Sequence, residues 1–314
     1  MPYLVLKLVW VLGFDIGVVD FKGVGRGTWV AANVVTFLMD AVAALVALTL
    51  TRPRGRRAPA WLLLFPLWMA SGLLLPLMVG VPAGTLAAFA TGGDNRLFTG
   101  EFLEPWVFVV VYGGFIVEGL TLLGAFAVYA HQRWGALLRQ PVGAFPDLGT
   151  LAVRRVLGTP AVALMAVMGV IRLLLGLGVP MGEAMGDNIV QRAGAVVQGA
   201  LSVAGAAGAT VLLWPRLGRG GRTRMRGPLA LAWTGSAAAF AWGGTLWLTW
   251  SVVTAFTGGS SSFPGGLPGL MGSSDLIVGL VLLCLGACTL AGQNASVRSA
   301  RSGHAEECTR TDDR

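Results

Sequence analysis

Residues Trp106–His131 read WVFVVVYGGFIVEGLTLLGAFAVYAH, a run in which Glu118 is the single acidic residue and no Lys or Arg occurs. An α-helix rises about 1.5 Å per residue, so about 20 apolar residues cross the hydrocarbon core of a bilayer. The run therefore predicts a membrane-spanning helix. The whole chain has the same character, because 55% of its 314 residues are hydrophobic and only 12% are charged, whereas about 25% are charged in a soluble domain. This composition excludes a soluble enzyme, a disordered chain and a secreted disulfide scaffold.

Window hydropathy predicts further spans of this kind along the chain. An additional candidate, Tyr3–Val19, is short and carries Lys7 and Asp15, so it is either a span or an interfacial helix. We therefore predict an all-α, polytopic transmembrane bundle of eight helices over residues 1–292, with seven helices as the alternative. The polar residues 293–314 are expected to form a disordered tail. The other predicted spans are Thr28–Leu50, Trp61–Gly80, Pro160–Val179, Ala193–Trp214, Leu229–Phe256 and Leu276–Gly292.

Basic residues are concentrated in every second linker. Thr51–Ala60, Gln132–Thr159 and Pro215–Pro228, with the tail Gln293–Arg314, contain 17 Lys and Arg residues, against 4 in the alternating linkers. Cytoplasmic loops retain Lys and Arg, so the first set is expected in the cytoplasm. We expect a multi-pass protein of the cell (plasma) membrane with a cytoplasmic C-terminus. Because these linkers account for the net charge of +8, we expect no nucleic-acid partner.

The two halves of the chain contain similar segments in the same order. Leu67–Gly72 (LWMASG) and Ala232–Ala237 (AWTGSA) each follow an Arg-rich linker, and their tryptophans are 165 positions apart. One interpretation is an internal duplication with repeat units 1–131 and 160–292 in the same orientation, an arrangement found in transport folds. Chance similarity between apolar segments is the other interpretation.

Three charged side chains lie deep within predicted spans: Asp40, Glu118 and Arg172. A charge at mid-bilayer costs about 3 kcal/mol on insertion scales, so such groups face the bundle interior and are paired or functional. We expect the three to lie together, with Asn33 on the face of Asp40 because seven residues make about two helical turns. One arginine forms a bidentate bond with only one carboxylate, so the second acid would be free to exchange a proton. Lys7 is expected to extend to the lipid headgroups.

We interpret Asp40, Glu118, Arg172 and Asn33 as a substrate- or proton-binding site without catalytic or metal-ligating residues. The leading hypothesis is a small-molecule or ion permease. The alternative is a non-catalytic membrane component (a subunit, assembly factor or sensor) in which the charges form a structural network. An enzyme is least favoured, because no nucleophile or metal site accompanies the acids.

The motifs that the sequence lacks limit which cofactors the protein can be expected to bind. It contains two histidines, neither deep within a predicted span, and no Walker A sequence. A bis-histidine haem site and an intrinsic ATPase are thereby excluded, and we expect no cofactor. The expected partners are the lipid bilayer and a small-molecule or ion substrate, while protein partners stay open.

Overall fold

The computed structural model describes residues 2–20, 25–52, 59–92, 103–142, 151–181, 189–215, 223–245, 247–249, 251–252 and 266–288. Apart from turns and two isolated β-bridges, these residues are helical. The all-α class is therefore confirmed, whereas the predicted tail and the linker residues 53–58, 143–150 and 216–222 lie outside the described residues. The helices are α1 (Pro2–Val11), α2 (Arg26–Thr51), α3 (Ala60–Thr91), α4 (Pro105–Arg139), α5 (Leu151–Gly176), α6 (Ile189–Leu213), α7 (Arg226–Ala238) and α8 (Gly266–Cys288).

Six of these helices, α2 to α6 and α8, are long and apolar enough to cross a membrane. Their outward surfaces are apolar as well, with Leu45, Val156 and Ile277 among the large hydrophobic side chains that are more than half exposed. In water such surfaces would drive aggregation, whereas acyl chains cover them at no cost. The architecture is that of a multi-pass membrane protein.

The N-terminal segment differs from the predicted span Tyr3–Val19. Helix α1 ends at Val11, and Gly13 and Gly17 then adopt positive φ angles of 98° and 74°, which turn the chain. A helix of 10 residues is about 15 Å long, half of the roughly 30 Å hydrocarbon core. The prediction of a continuous helix here is wrong: α1 is a half-length helix that packs against α2 and α4.

The predicted span Leu229–Phe256 also differs from a regular helix. Its α-helical part ends at Ala238 and continues as a π-helical segment, Ala239–Thr245. Helical residues recur at 247–249 and 251–252, and the remainder of the predicted span lies outside the described residues. In the π-helical segment, Gly243 lies so close to the Asp275 carboxylate of α8 that a Cβ atom at this position would overlap it. The segment thus brings its backbone directly against α8.

Helices α3 and α7 cross near the centre of the bundle through two reciprocal hydrogen bonds. The Trp68 indole N–H donates to Ser236 Oγ over 3.1 Å, and the Trp233 indole N–H donates to Ser71 Oγ over 2.9 Å. A Cβ atom on Gly72 would overlap the backbone carbonyl opposite, so the two helices approach as closely as glycine allows. Each helix therefore supplies one donor and one acceptor to the same crossing.

Helix α2 turns its polar side chains inward and most of its apolar side chains outward. Among its described side chains, only Asn33, Asp40 and Val46 are buried, whereas Leu38 and Leu45 are 58% and 65% exposed. This is the reverse of a soluble amphipathic helix, as expected where lipid replaces water around the bundle. Asp40 consequently faces α1 and α4 rather than acyl chains.

Candidate functional site

A buried ion pair joins α1 to α2. Lys7 Nζ lies 2.6 Å from Asp40 Oδ2, and the two side chains are only 5% and 10% exposed. Lys7 was expected to extend to the lipid headgroups, and this expectation is wrong, because the face of α1 that carries Lys7 packs against α2 and α4 and Asp40 supplies a closer anion. The pair is neutral as a unit, which reduces the cost of placing both charges in an apolar environment.

The second acid of this region, Glu118 on α4, has a neutral partner. The Tyr3 hydroxyl donates a hydrogen bond to Glu118 Oε2, and the same hydroxyl lies close to Asp40. Tyr3 and Lys7 are four residues apart and therefore project from one face of α1. Gly114 makes room for the tyrosine, because a Cβ atom there would overlap the Tyr3 ring. One turn of α1 thus contacts both carboxylates.

We call Tyr3, Lys7, Asp40 and Glu118 the acid–lysine cluster. It contains two carboxylates and one ammonium group, and Glu118 interacts electrostatically with both Asp40 and Lys7. The Lys7 ammonium also lies 5.1 Å from the ring centres of Tyr3 and Phe115, within the range of a cation–π interaction. The cluster is therefore neutral when one acid holds a proton and carries a single negative charge when neither does.

A half-open cavity of about 220 Å³ lies beside this cluster, between α1, α2 and α4. Lys7 faces it, whereas Asp40 and Glu118 are not part of its lining. Asn33 is part of the lining, with its side-chain amide donating to the backbone carbonyl of Trp29 over 2.9 Å. The full lining consists of Lys7, Trp10, Asn33, Thr36, Leu103, Val107, Phe108, Val111, Tyr112 and Phe115.

Arg172 belongs to a different site. Its guanidinium forms two hydrogen bonds to the Asp275 carboxylate, one of them Nη1 to Oδ1 over 3.0 Å, and both side chains are buried. The expectation that Arg172 pairs with Asp40 or Glu118 is therefore wrong. Asp275 was assigned to a loop before the last span, but α8 begins at Gly266 and carries Asp275 within the helix. This bidentate pair between α5 and α8 is fully compensated in charge.

Of the four residues predicted to form one site, three are brought together. Asp40 and Glu118 share the acid–lysine cluster, and Asn33 lines the adjoining cavity, whereas Arg172 does not join them. Sequence reasoning missed Tyr3, Lys7 and Asp275. For Tyr3 and Lys7 a signal was available, because a phenol and an amine four residues apart mark a polar face on an otherwise apolar helix.

This arrangement can exchange a proton within the membrane. Two acids that share one base can pass a proton between them through the Tyr3 hydroxyl, which lies close to both. The compensated pair of Arg172 and Asp275 holds α5 to α8 and leaves no second acid to protonate. No protein-family model matches the chain, and the comparisons with curated proteins and with solved structures found no similar protein.

Proposed function

We propose that the protein is a small-molecule or ion permease in which Asp40 and Glu118 couple movement of the substrate to movement of a proton. The observation that carries this proposal is the charge composition of the acid–lysine cluster, in which two buried carboxylates share one ammonium group beside a cavity. Ionisable groups inside a membrane are costly and typically mark ion pathways and proton relays. Glu118, with a neutral hydroxyl as its hydrogen-bond partner, is the group whose charge can change.

Proton uptake into liposomes tests this proposal. The full-length protein is reconstituted with a pH-sensitive dye inside, and a K⁺ diffusion potential, negative inside, is set with valinomycin. We expect the acid–lysine cluster to pass protons slowly even without substrate, so that acidification depends on the protein and Glu118→Gln removes it, because the amide keeps the shape of the side chain but holds no exchangeable charge. Asp15→Asn is the matched control, since Asp15 is an exposed acid outside the cluster. Equal acidification by Glu118→Gln and the parent protein would overturn the proposal.

We further propose that residues 1–131 and 160–292 are diverged copies of one unit in the same orientation. The reciprocal Trp–Ser bonds between α3 and α7 support this, because their two tryptophans and their two serines are each separated by 165 positions. Lys7 and Arg172 have the same separation, and each supplies the cation of a buried ion pair. Divergence explains why α6 lies among α3, α5 and α7 while α2 is peripheral. Parallel repeats of this kind are typical of transporters.

We propose a location in the plasma membrane with the C-terminus in the cytoplasm. The support is the excess of arginine in alternate linkers, since basic residues remain on the cytoplasmic side. Fusing alkaline phosphatase or a fluorescent protein after Arg314 tests the orientation. We expect fluorescence and no phosphatase activity, and the opposite result would place the tail outside.

The second candidate is a non-catalytic membrane component in which buried charges only hold helices together. The bidentate pair of Arg172 and Asp275 favours it, because a compensated pair in an apolar core performs no exchange. Purification in a mild detergent from native membranes distinguishes the two candidates. A protein recovered in fixed stoichiometry with this chain, together with the absence of proton uptake in liposomes, would favour the component over the permease.

A further inference from the structure

The cavity beside the acid–lysine cluster presents one cation and several aromatic rings to an occupant. Lys7 is the charged residue in its lining, while the two carboxylates of the cluster are not part of that lining. Phe108 and Tyr112 stack with their ring centres 6.1 Å apart and an angle of 9° between their planes, and both line the cavity. An occupant therefore meets a positive charge next to flat apolar walls.

Two side chains, Lys7 and Tyr112, can still donate hydrogen bonds to such an occupant. An ammonium group has three N–H donors, and within the part of the chain that the structure describes, only Asp40 accepts one from Lys7. The Tyr112 hydroxyl has no hydrogen-bond partner among the described residues. By contrast, the Thr36 hydroxyl and the Asn33 amide already donate to backbone carbonyls of α2. One cationic donor (Lys7) and one neutral donor (Tyr112) suit a single oxygen-bearing anionic group.

The size and polarity of the cavity restrict the remainder of the ligand. A volume of about 220 Å³ is somewhat larger than the roughly 150 Å³ of an engineered cavity that holds benzene. Most of the lining side chains are aromatic or aliphatic, so a bare inorganic anion would lose its hydration there without replacement. A cationic ligand would be repelled by Lys7 and is equally unsuited to this cavity.

We infer that this cavity binds a compact monocarboxylate with an apolar body about the size of one aromatic ring, and that binding is accompanied by uptake of one proton on the Asp40–Glu118 pair. The carboxylate accepts hydrogen bonds from Lys7 and Tyr112, and its ring packs between Phe108 and Phe115. The proton follows from charge if both acids are ionised in the free protein, as this inference requires: the cluster then carries one negative charge, and it accommodates a further anion by protonation of one acid. The coupling rests on the proposed function, whereas binding itself can be measured without any flux.

Calorimetric titration of the full-length protein in nanodiscs, with benzoate as the probe, tests the inference. Two buffers with different ionisation enthalpies report the number of protons taken up. We expect benzoate to bind with uptake of about one proton, and Glu118→Gln to bind it with little uptake. Benzyl alcohol and benzylammonium have the same ring, and we expect both to bind about 10- to 100-fold more weakly, as for loss of one charge-assisted hydrogen bond.

Two variants of α4 form the matched control. Val111→Phe fills the cavity and leaves all four residues of the acid–lysine cluster unchanged, and we expect it to abolish benzoate binding. Val109→Phe adds the same atoms at a side chain that is 60% exposed, and we expect it to bind like the parent protein. Absence of benzoate binding, equal affinity for benzyl alcohol, binding without proton uptake in the parent protein, or unchanged binding by Val111→Phe would each overturn the inference. None of these results depends on proton flux in liposomes, so failure here is distinguishable from failure of the permease proposal.

Discussion

Replacing Lys7 by Met and Asp40 by Leu, singly and together, measures how strongly the buried ion pair holds α1 to α2. The two charges are 2.6 Å apart, which corresponds to a Coulomb attraction of about 6 kcal/mol at an effective dielectric constant of about 20. Both charges also lose hydration on burial, and this cost offsets much of the attraction, so removing both charges together changes stability little. A single replacement leaves its partner buried without its closest counter-charge. Each single variant is therefore expected to lose about 3–5 kcal/mol in the free energy of unfolding.

The double variant is expected to be more stable than either single variant. It places two apolar side chains where a neutral pair stood, and such replacements are commonly close to neutral. The resulting coupling energy is expected to be about 3 kcal/mol or more. Unfolding of the detergent-solubilised protein by increasing mole fractions of SDS, followed by circular dichroism, gives the four free energies of the cycle.

The pair formed by Arg26 and Asp15 provides the control. Its charges are 3.6 Å apart, and the side chains are 59% and 42% exposed. Arg26→Gln and Asp15→Asn are therefore expected to show a coupling energy below about 1 kcal/mol. If the cycle of Lys7 and Asp40 gave a coupling no larger than this control, the buried ion pair would not exist in the folded protein.

Two further predictions concern close contacts between helices. Gly114→Ala places a Cβ atom on the Tyr3 ring and is expected to destabilise the protein by about 1–3 kcal/mol. Gly113→Ala is the control, because no atom lies within 4 Å of the added Cβ atom. This variant is expected to be up to about 1 kcal/mol more stable, since alanine has the higher helix propensity. Equal melting temperatures in detergent would show that the ring does not lie against Gly114. Ser71→Ala and Ser236→Ala each leave one indole N–H of the α3–α7 crossing without its acceptor and are expected to cost a similar 1–3 kcal/mol, roughly, in the same melting assay. A loss in only one of the two would contradict the reciprocal arrangement.

The long apolar helices were predictable because their signal is local. The span around Glu118 can be predicted from the hydropathy of its own residues alone, and α4 contains the whole predicted span Trp106–His131. Local hydropathy predicted the wrong helix boundaries where glycines lie near the end or the start of a helix. The positive φ angles of Gly13 and Gly17 end α1 early, and the low hydropathy of the Gly- and Ser-rich residues after Gly266 concealed the first turns of α8.

The partners of the buried charges were less predictable than their burial. Asp40 and Glu118 were expected to share a site, and they do, because both are too costly to expose to acyl chains. The cation that accompanies them depends on which helices pack together, which hydropathy does not encode. Lys7 was left out of the site because it lies near the start of its predicted span, within reach of the headgroups, and Asp275 because the predicted last span begins after it. An error of about ten residues at the start of α8 thus concealed the true partner of Arg172.

The spacing of the two ion pairs along the chain has a consequence for biosynthesis. Lys7 and Asp40 are 33 positions apart, so the two charges reach the membrane within a short interval of each other and can neutralise each other during synthesis. Arg172 must wait for Asp275, which follows 103 positions later and takes roughly 5–20 s to be translated at ribosomal speed. In that interval the guanidinium has no carboxylate from its own pair, and its presence in the hydrocarbon core costs about 3 kcal/mol. The ion pair of the N-terminal half can therefore form early, whereas α5 carries a guanidinium without its carboxylate until α8 is made.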